Sequence, residues 1–121
     1  MMRGIRGATS VTANAKEEIW QAARNLVTEI LSANNLQAAE IGAIIFSSTK
    51  DLTAAFPSTG LRQVEGFELV PLFDAQETDV EKSLPLCVRV LILAETNLPP
   101  DKICHIYLGE AKKLRPDLIK K

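Results

Sequence analysis

Length, composition and charge indicate one compact domain. The chain has 121 residues, 46% of them hydrophobic and 24% charged, a balance typical of a globular protein and too short for a second independent core. Lys and Arg number 14 against 15 Asp and Glu, a formal net charge of -1, which supplies no positive field for general nucleic-acid binding. We therefore treat residues 1–121 as a single domain that does not bind nucleic acid.

The apolar segments exclude a membrane-spanning helix. The most apolar stretch, residues 84–94, is short and contains Arg89, whereas a spanning helix needs about 20 apolar residues. The basic residues near the N-terminus are not followed by the apolar run of a secretory signal peptide. We expect a cytoplasmic protein whose mature form begins at this terminus and which has no membrane partner.

The first half of the chain predicts a strand, a long helix and a second strand. Residues 4–11 place β-branched side chains between glycines, which is typical of a strand. Asn14 and Glu17 have the spacing of a capping box, and apolar residues then recur at helical spacing as far as Asn34. The continuous apolar run in residues 41–47 predicts a strand covered on both faces.

The second half predicts a short helix and three more strands. Pro57 can occupy the first turn of a helix that runs to Gly66. Strands are predicted over residues 68–73, 86–93 and 104–108. Five strands and two helices in mixed order predict an α/β (α+β) domain, a mixed five-stranded sheet with one long helix on a face.

Two arginines stand out from this pattern. Arg89 lies in an apolar strand, and a guanidinium there needs a carboxylate, carbonyls or a ligand. A bound anion, an internal salt bridge, for instance to Glu77, or an outward-facing side chain would each satisfy it. Arg6 lies between Gly4 and Gly7, where a ligand or another backbone could approach a bidentate cation closely, and a purely structural role is an equally good interpretation.

The remaining chemistry-bearing residues form no catalytic motif. Tyr107 could donate to a carboxylate or be a core residue with a satisfied hydroxyl, and Glu77 with Asp79 could do acid–base work or form a solvated acidic loop. Cys87 and Cys104 lie far apart without a metal-binding partner set, and predict neither a disulfide nor a metal site. With no nucleotide-binding glycine motif or catalytic triad, we predict an activity without a cofactor, a metal or an activated nucleophile.

Taken in order, the segments resemble the AroH-class, monofunctional chorismate mutases. The stretches that carry the resemblance are RGIRGAT at 3–9, DLTAAFP at 51–57, VP at 70–71, QE at 76–77, CVRV at 87–90, HIYL at 105–108 and LRPDL at 114–118. Each stretch alone is a weak signal, and their order and spacing over nearly the whole chain identify the family.

The resemblance implies a Claisen rearrangement of chorismate to prephenate in phenylalanine and tyrosine biosynthesis. It also implies a homotrimer whose sheets form a central pseudo-barrel, with sites at the subunit interfaces. Arg89 would contact the ether oxygen and a carboxylate of the substrate, and Arg6 and Tyr107 would bind its carboxylates. Glu77 would accept a hydrogen bond from the ring hydroxyl. The residues that would line and close the substrate site are Phe56, Ser58, Thr59, Arg62, Leu72, Phe73, Asp74, Leu114 and Arg115.

Two positions depart from the family pattern. Thr59 stands where some members carry lysine, so we expect weaker capture of a dianion and a raised KM. Asp74 stands where Cys or Ser can occur, and an added carboxylate would repel the substrate unless it is protonated or paired. We hypothesise that Asp74 hydrogen-bonds with or orients Glu77. The alternative function is a trimeric module that binds a small dicarboxylate with reduced or no catalysis.

Overall fold

A computed structural model describes residues 1–114. Within this range the chain forms five strands and two α-helices. In chain order they are β1 (Met2–Ser10), α1 (Lys16–Ala33), β2 (Ile41–Ser48), α2 (Pro57–Arg62), β3 (Leu72–Gln76), β4 (Cys87–Glu95) and β5 (Ile106–Tyr107). Short 3-10 helices cover Ala38–Glu40, Pro100–Lys102 and Gly109–Lys113.

The strands form one mixed sheet in the order β3-β2-β4-β1-β5. The central strand β4 runs antiparallel to both β1 and β2, whereas β3 is parallel to β2 and β5 is parallel to β1. Ser47 and Ala8 lie on either side of Arg89, and Tyr107 lies beyond Ala8. The mixed five-stranded sheet predicted from the sequence is confirmed, and its register places Arg89 and Tyr107 in one row.

Side-chain alternation along the strands gives the sheet two different faces. One face packs against α1 and forms the core, with Ile5, Phe46 and Ile92 buried together with Leu26 and Ile30 of the helix. The opposite face, called the outer face below, carries the alternate residues of the same strands. Among them Leu91 is 36% exposed and Phe73 65%. The long helix therefore covers one face of the sheet, as predicted.

The start of α1 differs from the predicted capping box. The helix begins at Lys16 with Ala15 as an N-cap that makes no side-chain cap hydrogen bond. Asn14 instead accepts hydrogen bonds from the backbone of Thr53 and Ala54, both at 3.0 Å. The capping-box prediction was wrong because the Asn14 side chain serves a distant loop. The predicted end of the helix is confirmed, with Asn34 as the C-cap.

The segment between α2 and β3 also differs from expectation. The helix α2 ends at Arg62 rather than Gly66, and β3 begins at Leu72 rather than residue 68. Consecutive turns bury Phe67 and Val70, with the Val70 N–H donating to the Phe67 carbonyl at 3.2 Å. The apolar residues that predicted a strand enter the core through these turns instead.

The two helices meet at a glycine. A Cβ on Gly60 would lie 2.6 Å from the Trp20 carbonyl oxygen and 2.7 Å from the Trp20 Cα. Real side chains do not approach backbone atoms so closely, so only glycine allows this contact between α2 and α1. Gly60 thereby fixes how close α2 lies to the core.

Candidate active site

A cavity of about 390 Å³ opens near one end of the outer face. It is lined by residues of β1, β4, β5 and the following segment, namely Arg6, Gly7, Ala8, Arg89, Val90, Tyr107 and Leu114. The structure therefore brings together three of the four residues expected to be catalytic. Two arginines in one small cavity provide the positive potential that a carboxylate ligand needs.

Glu77, the fourth residue, contacts Arg89 directly. Its carboxylate forms an ion pair with the Arg89 Nε. The Arg89 side chain is 39% exposed and that of Glu77 14%, so the internal salt bridge and the outward orientation considered from the sequence both occur. The Arg89 Nη groups carry four further N–H donors that this contact does not use. Glu77 therefore orients the guanidinium without excluding an anion from it.

The cavity is bounded by a small apolar cluster. Tyr107 and Cys87 pack with Ala8 and Ala111, and Leu114 lies against them. Burial raises the pKa of the Cys87 thiol to about 11, although the nearby Arg89 acts in the opposite direction. Cys87 therefore stays a neutral thiol at physiological pH and acts as an apolar packing residue rather than a nucleophile.

A second cavity, of about 440 Å³, lies beside the start of α2. Phe56, Pro57 and Asp74 line it together with the loop that follows β2. Phe56 is 68% exposed. Some of the expected site residues thus line two different cavities, with Phe56 and Asp74 at this one and Arg6, Arg89, Tyr107 and Leu114 at the first.

Asp74 does not meet Glu77. Its carboxylate accepts hydrogen bonds from the Ser58 N–H at 3.1 Å and from the Ser58 hydroxyl. Asp74 pairs with the core residue Phe46 in the sheet register, whereas Glu77, just after β3, contacts Arg89 on the outer face. The hypothesis that Asp74 hydrogen-bonds with Glu77 was wrong, and the carboxylate holds the first turn of α2 instead.

The other predicted binding residues occupy three kinds of position. Thr59 and Arg62 lie on α2, with Arg62 exposed at its last position. Leu72 packs against the main core, so its side chain is less accessible to a substrate than expected for a residue that lines the site. Phe73 lies exposed on the outer face. Arg115 lies outside the described residues.

Sequence reasoning missed a contact of His105. The Arg6 N–H donates to the His105 Nδ1 at 2.9 Å. No spacing rule joins these residues, since they are 99 positions apart. Only the parallel pairing of β5 with β1 would have indicated that they are neighbours.

Neither a metal-binding cluster nor a membrane-spanning helix occurs among residues 1–114. Residues 1–114 contain no group of three or more His, Cys, Asp and Glu side chains arranged to hold a metal ion. None of the helices described is long and apolar enough to cross a bilayer.

Comparison with known proteins identifies the family. The sequence matches the profile of chorismate mutase type I over residues 2–118. Chorismate mutase AroH of Thermus thermophilus is 49% identical over 119 residues, covering 98% of this chain and 97% of that protein. The AroH enzyme of Bacillus subtilis (strain 168) is 40% identical over 118 residues, with 98% and 93% coverage. The chain belongs to the chorismate mutase type I family.

A solved structure has the same fold. A chorismate mutase from Clostridium thermocellum superimposes with a TM-score of 0.89 at 39% sequence identity, covering 92% of this chain and 98% of that one. The fold implied by the sequence resemblance is thereby confirmed.

Proposed function

We propose that the chain is a chorismate mutase, which rearranges chorismate to prephenate. One carbon–oxygen bond breaks and one carbon–carbon bond forms within a single molecule, with no covalent intermediate and no exchange of electrons with a partner. The observation that carries the proposal is the cavity shared by Arg6, Arg89 and Tyr107 on a chain of this family. The substrate is a dianion, and two guanidinium groups match its carboxylates.

Arg89 supplies electrostatic stabilisation of the transition state in this proposal. Negative charge grows on the ether oxygen as the carbon–oxygen bond breaks. A fixed cation interacts more strongly with that oxygen in the transition state than in the ground state, which raises kcat rather than only lowering KM. The Glu77 carboxylate on Nε fixes the orientation of the guanidinium, so little reorganisation is needed during the reaction.

The other side chains hold the substrate in a reactive conformation. Arg6 and the Tyr107 hydroxyl bind the substrate carboxylates. The Glu77 carboxylate accepts a hydrogen bond from the ring hydroxyl of the substrate. The binding free energy of these contacts offsets the cost of folding the substrate's extended side chain over its ring, so that the reactive conformer is the one that binds. Leu114 closes one side of the cavity against water.

A homotrimer completes the site. Arg89 and Phe56 line different cavities of one chain. In an assembly, the Phe56 cavity of one copy can lie against the Arg89 cavity of the next copy. The exposed apolar side chains of the outer face, among them Ile45, Phe73 and Leu91, favour the same assembly because sheet faces of this kind are normally covered. The cytoplasmic location, expected from the apolar segments, and the absence of nucleic-acid binding, expected from the net charge, stay predictions from the sequence.

The loss of chorismate absorbance tests the proposal. Wild-type protein without added cofactor should consume chorismate and produce prephenate. Arg89→Ala should lower kcat/KM by about 100- to 1,000-fold or more, the range seen when a transition-state donor is removed. Arg3→Ala is the matched control, because Arg3 lies outside both cavities and its Nε donates to the Leu98 carbonyl.

Two results would reject the proposal. A well-folded wild type that binds chorismate without converting it would indicate a dicarboxylate-binding module. An Arg89→Ala variant as active as Arg3→Ala would show that the cavity is not the site of the reaction. A transition-state analogue provides an independent check, because an enzyme binds it far more tightly than the substrate.

A further inference from the structure

The inference concerns the hydrogen bond between the Arg6 backbone and the His105 side chain. The Arg6 N–H donates to His105 Nδ1 at 2.9 Å. Arg6 lines the cavity with Arg89 and Tyr107, and His105 lies two residues before Tyr107 on the same segment. One imidazole therefore joins the two strands that present Arg6 and Tyr107.

The short length of β5 explains why a side chain makes this bond. The register pairs Gly7 with Ile106 and Ala8 with Tyr107, and the Leu108 N–H donates to the Ala8 carbonyl at 2.9 Å. Continued by one step, a parallel ladder would direct the Arg6 N–H to the Cys104 carbonyl. The ladder ends before that step.

The end of α1 takes the Cys104 backbone instead. Asn34, the buried C-cap residue, donates from Nδ2 to the Cys104 carbonyl at 2.9 Å and accepts from the Cys104 N–H at 2.8 Å. Both backbone groups of Cys104 are thereby engaged with the helix. Because the Cys104 carbonyl bonds to Asn34, the Arg6 N–H donates its hydrogen bond to the His105 ring instead.

Only an unprotonated ring nitrogen can make this bond. A backbone N–H can donate but not accept, so Nδ1 must be the acceptor and the ring proton must be on Nε2. The Asn Oδ1 is an acceptor at nearly the same distance from Cβ as His Nδ1. Alanine offers no acceptor at all. The chain therefore allows a conservative variant that keeps the bond and a second one that removes it.

We propose that His105 is a positioning residue for substrate binding, whose Nδ1 fixes the backbone of Arg6 and so places the Arg6 guanidinium in the cavity. The inference rests on the proposed function, since it takes Arg6 to hold a substrate carboxylate. A carboxylate is bound equally in the ground state and in the transition state. Loosening Arg6 therefore raises KM and leaves kcat nearly unchanged.

Steady-state kinetics with chorismate test the inference in four variants. His105→Ala should raise KM by about three- to tenfold, the effect of losing one hydrogen bond, with kcat within about twofold of wild type. His105→Asn should restore KM to within about twofold. In an Arg6→Ala background the same His105→Ala change should have no further effect on KM, because the proposed effect on substrate binding requires the Arg6 guanidinium.

Amide hydrogen exchange supplies a readout that does not depend on activity. The Arg6 amide should exchange about three- to tenfold faster in His105→Ala than in wild type, and His105→Asn should return it to the wild-type rate. Unchanged exchange at Arg6 in His105→Ala overturns the inference whatever the kinetics show. Faster exchange with an unchanged KM, while Arg6→Ala raises KM, also overturns it.

Failure of the proposed function gives a different pattern. If Arg6→Ala leaves KM unchanged, the assignment of Arg6 to the substrate is wrong, and the inference falls with it. If wild type does not convert chorismate, the proposed reaction is rejected by the wild-type assay alone. Both results differ from the one that overturns the inference alone. In that result wild type converts chorismate and Arg6→Ala raises KM, but His105→Ala leaves KM unchanged.

Discussion

Asp74 places a second carboxylate near a site that we assign to a dianion. Ser58 engages both of its oxygens, so the negative charge is directed at the first turn of α2 and away from the Arg89 cavity. A charge held by two donors is partly neutralised where it lies. The departure from the family pattern at this position is thereby accommodated by a local contact between β3 and α2.

The contribution of this contact can be measured by unfolding. Asp74→Ala should lower the free energy of unfolding by about 1–2 kcal/mol, because the Ser58 donors lose a charged acceptor in a half-buried setting. Asp74→Asn should lose less, since its amide oxygen can still accept from the Ser58 N–H. Urea denaturation of each variant gives the values.

Glu81→Ala is the control for removal of an exposed acidic charge, since Glu81 lies in the loop after β3. Equal stability of Asp74→Ala and Glu81→Ala would contradict a supporting role for Asp74. A drop confined to Asp74→Ala would support it.

At the scale of elements, the contact between the two helices depends on Gly60. Gly60→Ala should push α2 away from α1, because its Cβ would overlap backbone atoms of Trp20 that cannot rotate away. Overpacking of this kind costs about 1–3 kcal/mol. Thermal unfolding should therefore show a lower Tm, and KM for chorismate should rise because α2 carries the predicted binding residues Thr59 and Arg62.

Gly42→Ala is the matched control for this substitution. A Cβ on Gly42 would meet its nearest atom, the flexible end of Met2, at 3.4 Å, which is ordinary contact. If Gly42→Ala lowers Tm as much as Gly60→Ala does, the close approach of the helices is not the cause.

The elements that sequence patterns predicted well are those whose signal is local. The apolar periodicities of α1, β2 and β4 lie within each element, and Arg89 was recognisable because a charge interrupts an apolar strand. The start of α1 was missed because the partners of Asn14 lie 39 and 40 residues away. The start of β3 was missed because turns, rather than a strand, bury Phe67 and Val70.

The site was predictable to a similar extent. Arg6, Arg89 and Tyr107 each allowed a structural interpretation from the residues alone, and only the family resemblance put them together. The sheet register then gave the physical reason, since Ala8 lies between Arg89 and Tyr107. The partners of Asp74 and His105 depend on how distant segments pack, which no local pattern contains.

At the scale of the whole molecule, the outer face of the sheet should be the contact between copies. In solution the mass should be three times the chain mass of 13.2 kDa. Leu91→Glu should dissociate the assembly and abolish activity, because a charge would be buried without a partner in an apolar interface. Light scattering coupled to size exclusion, followed by the chorismate assay, measures both effects.

Leu69→Glu is the control, because Leu69 is 95% exposed in the segment that precedes β3. It makes the same change of side chain outside the sheet. Dissociation of both variants, or of neither, would contradict the assignment of the outer face.

The pairing of β1 with β4 and β5 also affects the order in which the molecule can form. During synthesis Arg6 leaves the ribosome 99 residues ahead of His105, a delay of about 5 to 20 s at usual translation rates. For most of that interval, until Leu91 and the rest of β4 have been synthesised, β1 has no strand to pair with. Arg3 and Arg6 then have a second use, since charged side chains on a waiting strand discourage pairing with the nascent chains of neighbouring ribosomes.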